Sequence, residues 1–168
     1  MEATQKNPTT PRVLRILIVE DDPRHREDAV AAVSQAGHAA VCASTYGNAN
    51  YAIDKVDAVL SDVHFPYSNT LDRESGQDYT EPTACGLAVA MLCEKRGLPF
   101  VLCTDGHHHG NKAQWVFDFC GVAGWDIVEG RLSRVELPEP SAEVNLYTDS
   151  LAKSWDYALL VLLAKMSA

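Results

Sequence analysis

The chain alternates short β-branched apolar runs with helical stretches, and this alternation constrains its fold more than any other feature. Val13 to Val19 reads as a strand buried on both faces, closing on Glu20-Asp21-Asp22. Asp22 followed by Pro23 predicts a helix start, and Ala29, Val30, Val33 and Ala36 give that helix one apolar face before it stops at Gly37. Ala39 to Ala43 reads as a second strand, residues 48–55 as a short helix, and Asp57 to Val63 as a third strand, again closing on an acid. A helix from Ala84 to Arg96 should turn Leu87, Met91 and Leu92 inward and end at Gly97. Pro99 to Cys103 is the fourth strand, a helix near Lys112 to Cys120 follows, Trp125 to Val128 is the fifth strand, and Leu151 to Met166 is the last helix. Strands and helices in strict alternation predict an α/β fold, a doubly wound five-stranded parallel sheet with helices on both faces.

Two stretches interrupt the rhythm. Residues 67–83 and 131–148 have few apolar positions or carry prolines, and read as loop insertions. Residues 1–11 read as a loose N-terminal tail and residues 12–168 as one domain, as a length of 168 suggests. A formal charge of −9 argues against a phosphate backbone or anionic lipid as a direct partner, so neither nucleic acid nor membrane is expected. The longest apolar run, Tyr157 to Ala164, has eight residues, far below the ~20 of a bilayer helix. Five cysteines without a CxxC pair fit reduced thiols, with Cys85, Cys93 and Cys103 packed inward, and a cytoplasmic protein.

In a parallel α/β sheet, ligands collect at the carboxyl ends of the strands. Strands one, three and four end in Asp21-Asp22, Asp62 and Thr104, so these side chains should meet at one rim. Carboxylates so close repel each other unless a cation lies among them, and oxygen ligands of this kind suit Mg²⁺. With the cation bound, Asp62 stays ionised and is a nucleophile for a phosphoryl group, with the Thr104 hydroxyl beside it.

The residues that carry this pattern are ILIVEDDP (Ile16 to Pro23), VLSDVHFP (Val59 to Pro66), CGLAVA (Cys85 to Ala90) and LPFVLCTDG (Leu98 to Gly106). In this order, over roughly residues 13–166, the chain resembles the receiver domain of two-component response regulators. The resemblance implies a flavodoxin-like (βα)5 fold with two loop insertions. It also implies that Asp62 accepts the phosphoryl group from a histidine kinase or phosphotransfer protein. Mg²⁺ would be held by Asp21, Asp22, Asp62 and the backbone carbonyl of His64, and Thr104 would be the switch hydroxyl. The family's Lys at the end of strand five is not found there; Val128 or Glu129 stands at its position, depending on the alignment. Neither neutralises a phosphate, so cation binding reads as intact and phosphorylation as impaired.

The leading reading is therefore an atypical stand-alone receiver, a phosphorelay switch and not an enzyme, acting on a downstream protein partner. An alternative is a pseudo-receiver, a phosphorylation-independent interaction module, favoured by the missing Lys and the two insertions. A Mg²⁺-dependent phosphohydrolase ranks last, for want of a general acid and a cation to hold the phosphoryl group. His107-His108-His109 reads as a polar loop bordering the rim, where an imidazole could supply positive charge. Tyr157, Leu160, Val161 and Ala164 lie opposite the core face of the last helix. They suggest a partner or homodimer surface on the last two helices, the face the family uses.

Overall fold

The computed structural model describes residues 12–71, 78–105, 114–130 and 153–167. The tail at 1–11, the stretch 131–148, His107 to His109 and Lys112 lie outside them, as does Leu151. Strand β1 (Arg15–Val19) is buried from Ile16 onwards, which is why its apolar run has no alternation. It pairs in parallel with β2 (Ala39–Ala43) on one side and β3 (Ala58–Asp62) on the other. Two short strands, β4 (Phe65–Pro66) and β5 (Pro82–Thr83), follow β3 and stand outside the main sheet. The main sheet continues through β6 (Phe100–Cys103), paired with β3, to β7 (Ile127–Val128). Its order, β2-β1-β3-β6-β7, reverses direction at β1, the arrangement that opens a crevice between β1 and β3 at their carboxyl ends.

Helices cover both faces. On one face α1 (Pro23–Gln35) and α5 (Trp155–Ser167) bury Ala29, Val33, Trp155, Ala158, Leu159 and Leu162 against Ile16, Ile18, Leu60 and Val101. On the other lie α2 (Tyr46–Ala52), α3 (Cys85–Arg96) and α4 (Gln114–Ala123), over Leu17, Val19, Val59 and Leu102. The doubly wound parallel sheet expected from the alternation is the observed architecture.

Local departures have simple causes. Met91 is 59% exposed, because the buried stripe of α3 runs through Cys85, Leu87, Val89, Ala90 and Cys93, and position 91 falls on its outer side. Trp125 precedes β7 and packs edge-on against Phe100 and Phe119. The insertion at 67–83 is tied at its base, where β4 pairs antiparallel with β5. Tyr67 stacks on Tyr46 and meets Tyr79, so aromatic contact adds to the ribbon. Cys85, Cys93 and Cys103 are buried as expected, and burial pushes the Cys93 thiol up to about 12. Among the described residues, no helix is long and apolar enough to cross a membrane.

Candidate functional site

The crevice at the carboxyl ends of β1, β3 and β6 collects acidic side chains around one lysine. Among the described residues, carboxylate oxygens of Glu20, Asp21 and Asp62 lie within 4.8 Å of one another. Glu20 follows β1 directly and is fully buried; Asp62, the last residue of β3, is 3% exposed. An all-oxygen set of this size suits Mg²⁺, which is met by one or two carboxylates and completes its shell with water.

Asp22 has a different occupation. Its side chain caps α1, accepting from the Arg24 backbone N–H at 2.8 Å, and pairs with the Arg24 guanidinium at 2.8 Å. Those Arg24 hydrogen bonds hold the Asp22 carboxyl well below the usual carboxylate range. Asp22 therefore stands outside the group that brings Glu20, Asp21 and Asp62 together. Its own backbone N–H donates to Glu20 Oε1 at 3.1 Å. The residue that the sequence reading omitted, Glu20, occupies the place given there to Asp22. The signal for this was available: Pro23 at the first helical position makes the residue before it a capping group, which commits its carboxylate to the helix end.

Lys153 is the second residue the sequence reading missed. Its ammonium donates to Glu20 Oε2 at 2.6 Å and lies 2.8 Å from Asp62 Oδ2, with only 4% of its side chain exposed. Val128 does end β7, pairing with Cys103, so the strand itself carries no lysine. The cation arrives instead from the residue before Ser154, whose carbonyl accepts the first bond of α5 from Ala158 N–H at 2.9 Å. A lysine at a helix N-terminus is opposed by the helix dipole, so its position there is itself a hint of an acidic partner elsewhere.

The charges in this crevice shift one another. Burial pushes the Glu20 carboxyl up to about 7, and the Asp62 charge adds to the rise while Lys153 opposes it. Burial likewise raises Asp62 to about 6 against the pull of Lys153 and of its own hydrogen bond from Val63 N–H, 2.6 Å from Oδ1. Burial works against the Lys153 charge, but Asp62 and Glu20 outweigh it and keep the ammonium protonated. Each Asp62 oxygen thus has a donor, one from the backbone and one from Lys153.

The neighbours of Asp62 are held by the backbone. Ser61 Oγ donates to the Asp62 carbonyl at 2.7 Å, and Gly86 N–H donates to the Val63 carbonyl at 2.9 Å. A Cβ on Gly86 would fall 2.1 Å from the Asp62 carbonyl oxygen, so only glycine lets α3 approach this closely. Thr104 is buried at the end of β6, its N–H donating to the Val128 carbonyl at 3.0 Å. His64 is half-buried beside the site, and that burial lowers its imidazole.

No family model matches the chain, and no curated protein matches it in sequence. Solved structures do. NtrX from Brucella abortus, crystallised with ADP, is 19% identical with a TM-score of 0.52, covering 93% of this chain and 26% of that one. The chain has the fold of response regulator receiver domains. The receiver domain of HemR from Leptospira biflexa, in its non-phosphorylated form, is 22% identical at a TM-score of 0.46, over 76% of this chain and 98% of that one. The response regulator PhyR from Brucella abortus is 23% identical at a TM-score of 0.40, over 54% of this chain. The match spans 33% of the PhyR chain and 26% of the NtrX chain.

Proposed function

We propose that this chain is a response regulator receiver, a signalling switch of the cytoplasm that takes a phosphoryl group on Asp62 from a histidine kinase or phosphotransfer protein. The observation that carries the reading is the pairing of Lys153 with Asp62 next to the Glu20 and Asp21 carboxylates. Mg²⁺, when bound by Glu20, Asp21 and Asp62, would neutralise charge on the incoming phosphoryl oxygens and let Asp62 react as the carboxylate. The His64 carbonyl, implied by the resemblance, would complete this set, whereas Asp22, implied with it, is committed to the α1 cap and left out of it.

In the transfer, an Asp62 oxygen bonds to phosphorus as the bond between phosphorus and the donor's imidazole nitrogen breaks. The electron pair returns to the ring, which takes up a proton from water, and an acyl phosphate remains on Asp62. Lys153, already charged and within reach of Oδ2, pairs with the added negative charge. Thr104, at the end of the neighbouring strand, would accept the role of switch hydroxyl and pass the change to α4 and α5, where a downstream partner or a second copy would bind.

The pseudo-receiver alternative rests on a missing lysine and on the two insertions, and Lys153 beside Asp62 weighs against the first of these grounds. The chain carries out half of a transfer whose other half belongs to the donor, which favours a switch over an enzyme. Incubation with acetyl phosphate and Mg²⁺, read by intact mass, tests the proposal. One added phosphoryl group, absent in Asp62→Asn, supports it; no uptake at any Mg²⁺ concentration returns the interaction module as the better reading.

A further inference from the structure

The turn between β1 and α1 carries two of the three acidic groups, and its backbone is gripped by one side chain. Arg26, on the first turns of α1, donates from Nη1 to the Glu20 carbonyl at 3.0 Å and to the Asp21 carbonyl at 3.2 Å. The guanidinium is partly buried, and Arg26 N–H also bonds back to the Asp22 carbonyl at 3.0 Å. The same turn is fixed from the other side by Glu20 N–H, which donates to the Ala43 carbonyl at 2.9 Å. One cation thus satisfies two consecutive carbonyls, while the carboxylates of the same two residues gather with that of Asp62.

We propose that Arg26 is a positioning residue, a clamp on the Glu20–Asp21 backbone that orients both carboxylates toward a divalent cation. The inference rests on the functional reading above and adds the group that aims its ligands. Consecutive residues in a turn have many backbone states, and a flexible turn would point Glu20 and Asp21 away from Asp62 in most of them. A charge-assisted bond to each carbonyl selects the one in which the three meet. Arg26 touches neither the cation nor the phosphoryl group in this arrangement; it acts through the main chain. Support of this kind behind a ligand typically changes metal affinity by about 10–100-fold.

The test compares the full-length wild type with Arg26→Met and Arg26→Lys, using two readouts. The first is hydrogen exchange of the Asp22 amide in metal-free protein, with the Ile18 amide at the centre of β1 as internal reference. The second is Mg²⁺ affinity by calorimetry, with phosphoryl uptake from acetyl phosphate measured again at saturating Mg²⁺. In Arg26→Met, Asp22 exchange should speed up while Ile18 does not. Mg²⁺ binding should weaken by about tenfold or more, uptake at saturating Mg²⁺ should return to near wild type, and Arg26→Lys should recover part of the affinity. Unchanged Asp22 exchange overturns the clamp whatever the affinity. Faster exchange with unchanged affinity overturns its service to the cation, and equal acceleration at Ile18 shows a general loss of stability instead. Should the wild type bind no Mg²⁺, the functional reading falls by itself, and the exchange measurement alone decides whether Arg26 holds the turn.

Discussion

Lys153 and Glu20, 133 residues apart in the chain, meet at 2.6 Å in the interior of the crevice, with Asp62 on the other side of the ammonium. One cation between two buried carboxylates is the electrostatic centre of this molecule. Removing it should be costly. Lys153→Met leaves two uncompensated acids, a change of the kind that costs about 3–5 kcal/mol. Urea unfolding at pH 8 should show that loss, and at pH 5 a smaller one, because Glu20 and Asp62 can then take up protons. The variant should also load little phosphoryl on Asp62 in the mass assay.

The raised carboxyls give the metal-free protein an unusual pH profile. Glu20 at about 7 and Asp62 at about 6 bind protons more tightly when folded than when unfolded. Their contribution is therefore fully present below their unfolded values near 4 and is lost as pH rises through 6 to 7. Unfolding free energy should fall between pH 5 and 8 by a few kcal/mol, since each tenfold tightening of proton binding on folding is worth about 1.4 kcal/mol. Asp62→Asn should flatten that fall. Mg²⁺ should oppose it, stabilising the wild type strongly at pH 8 and little at pH 5, as thermal melts with and without the ion will show.

The two acids at positions 20 and 22 should separate cleanly. Asp22→Ala removes a helix cap and should cost about 1 kcal/mol of stability, with Mg²⁺ affinity near wild type. Glu20→Gln should leave α1 capped and weaken Mg²⁺ at least tenfold, a loss comparable to removing a ligand's support. Calorimetric Mg²⁺ titration beside chemical unfolding distinguishes these outcomes; the reverse pattern would return Asp22 to the site.

Gly86 and Gly121 make a matched pair. Alanine at 86 would drive a methyl group into the Asp62 carbonyl and the Val63 Cα, so α3 must move and Asp62 with it. A cost of about 1–3 kcal/mol or more and impaired phosphoryl uptake are expected. Gly121 lies inside α4 with nothing near its Cβ position, so alanine there should stabilise by roughly 0.5–1 kcal/mol. Unfolding curves of both variants check the contrast.

Much of the architecture was legible because burial leaves its mark on periodicity. The unbroken run Ile16 to Val19, the cap at Asp22-Pro23 and the stop at Gly97 each state a local rule that the fold obeys. Asp62 was legible for the same reason, as an acid closing the run Ala58-Val59-Leu60-Ser61. The partners of Asp62 were not. Choosing Glu20 over Asp22 requires knowing that a carboxylate committed to a helix cap does not also face the crevice. Finding Lys153 requires knowing that the main chain returns to the rim after residue 130, which no local pattern records. Met91 failed for a smaller reason: on a helix covered by its neighbours along one stripe, a long apolar residue one position off that stripe is left in water.

The ribbon of β4 and β5 brings Pro66 and Pro82 side by side, so the ends of that excursion are closed independently of what runs between them. A tag placed between Leu71 and Asp78 should leave that closure standing, since the β4–β5 pairs and the contacts of Tyr67 with Tyr46 and Tyr79 lie outside it. The excursion is thus a place where sequence can be added beside the crevice without unpairing the strands that close it.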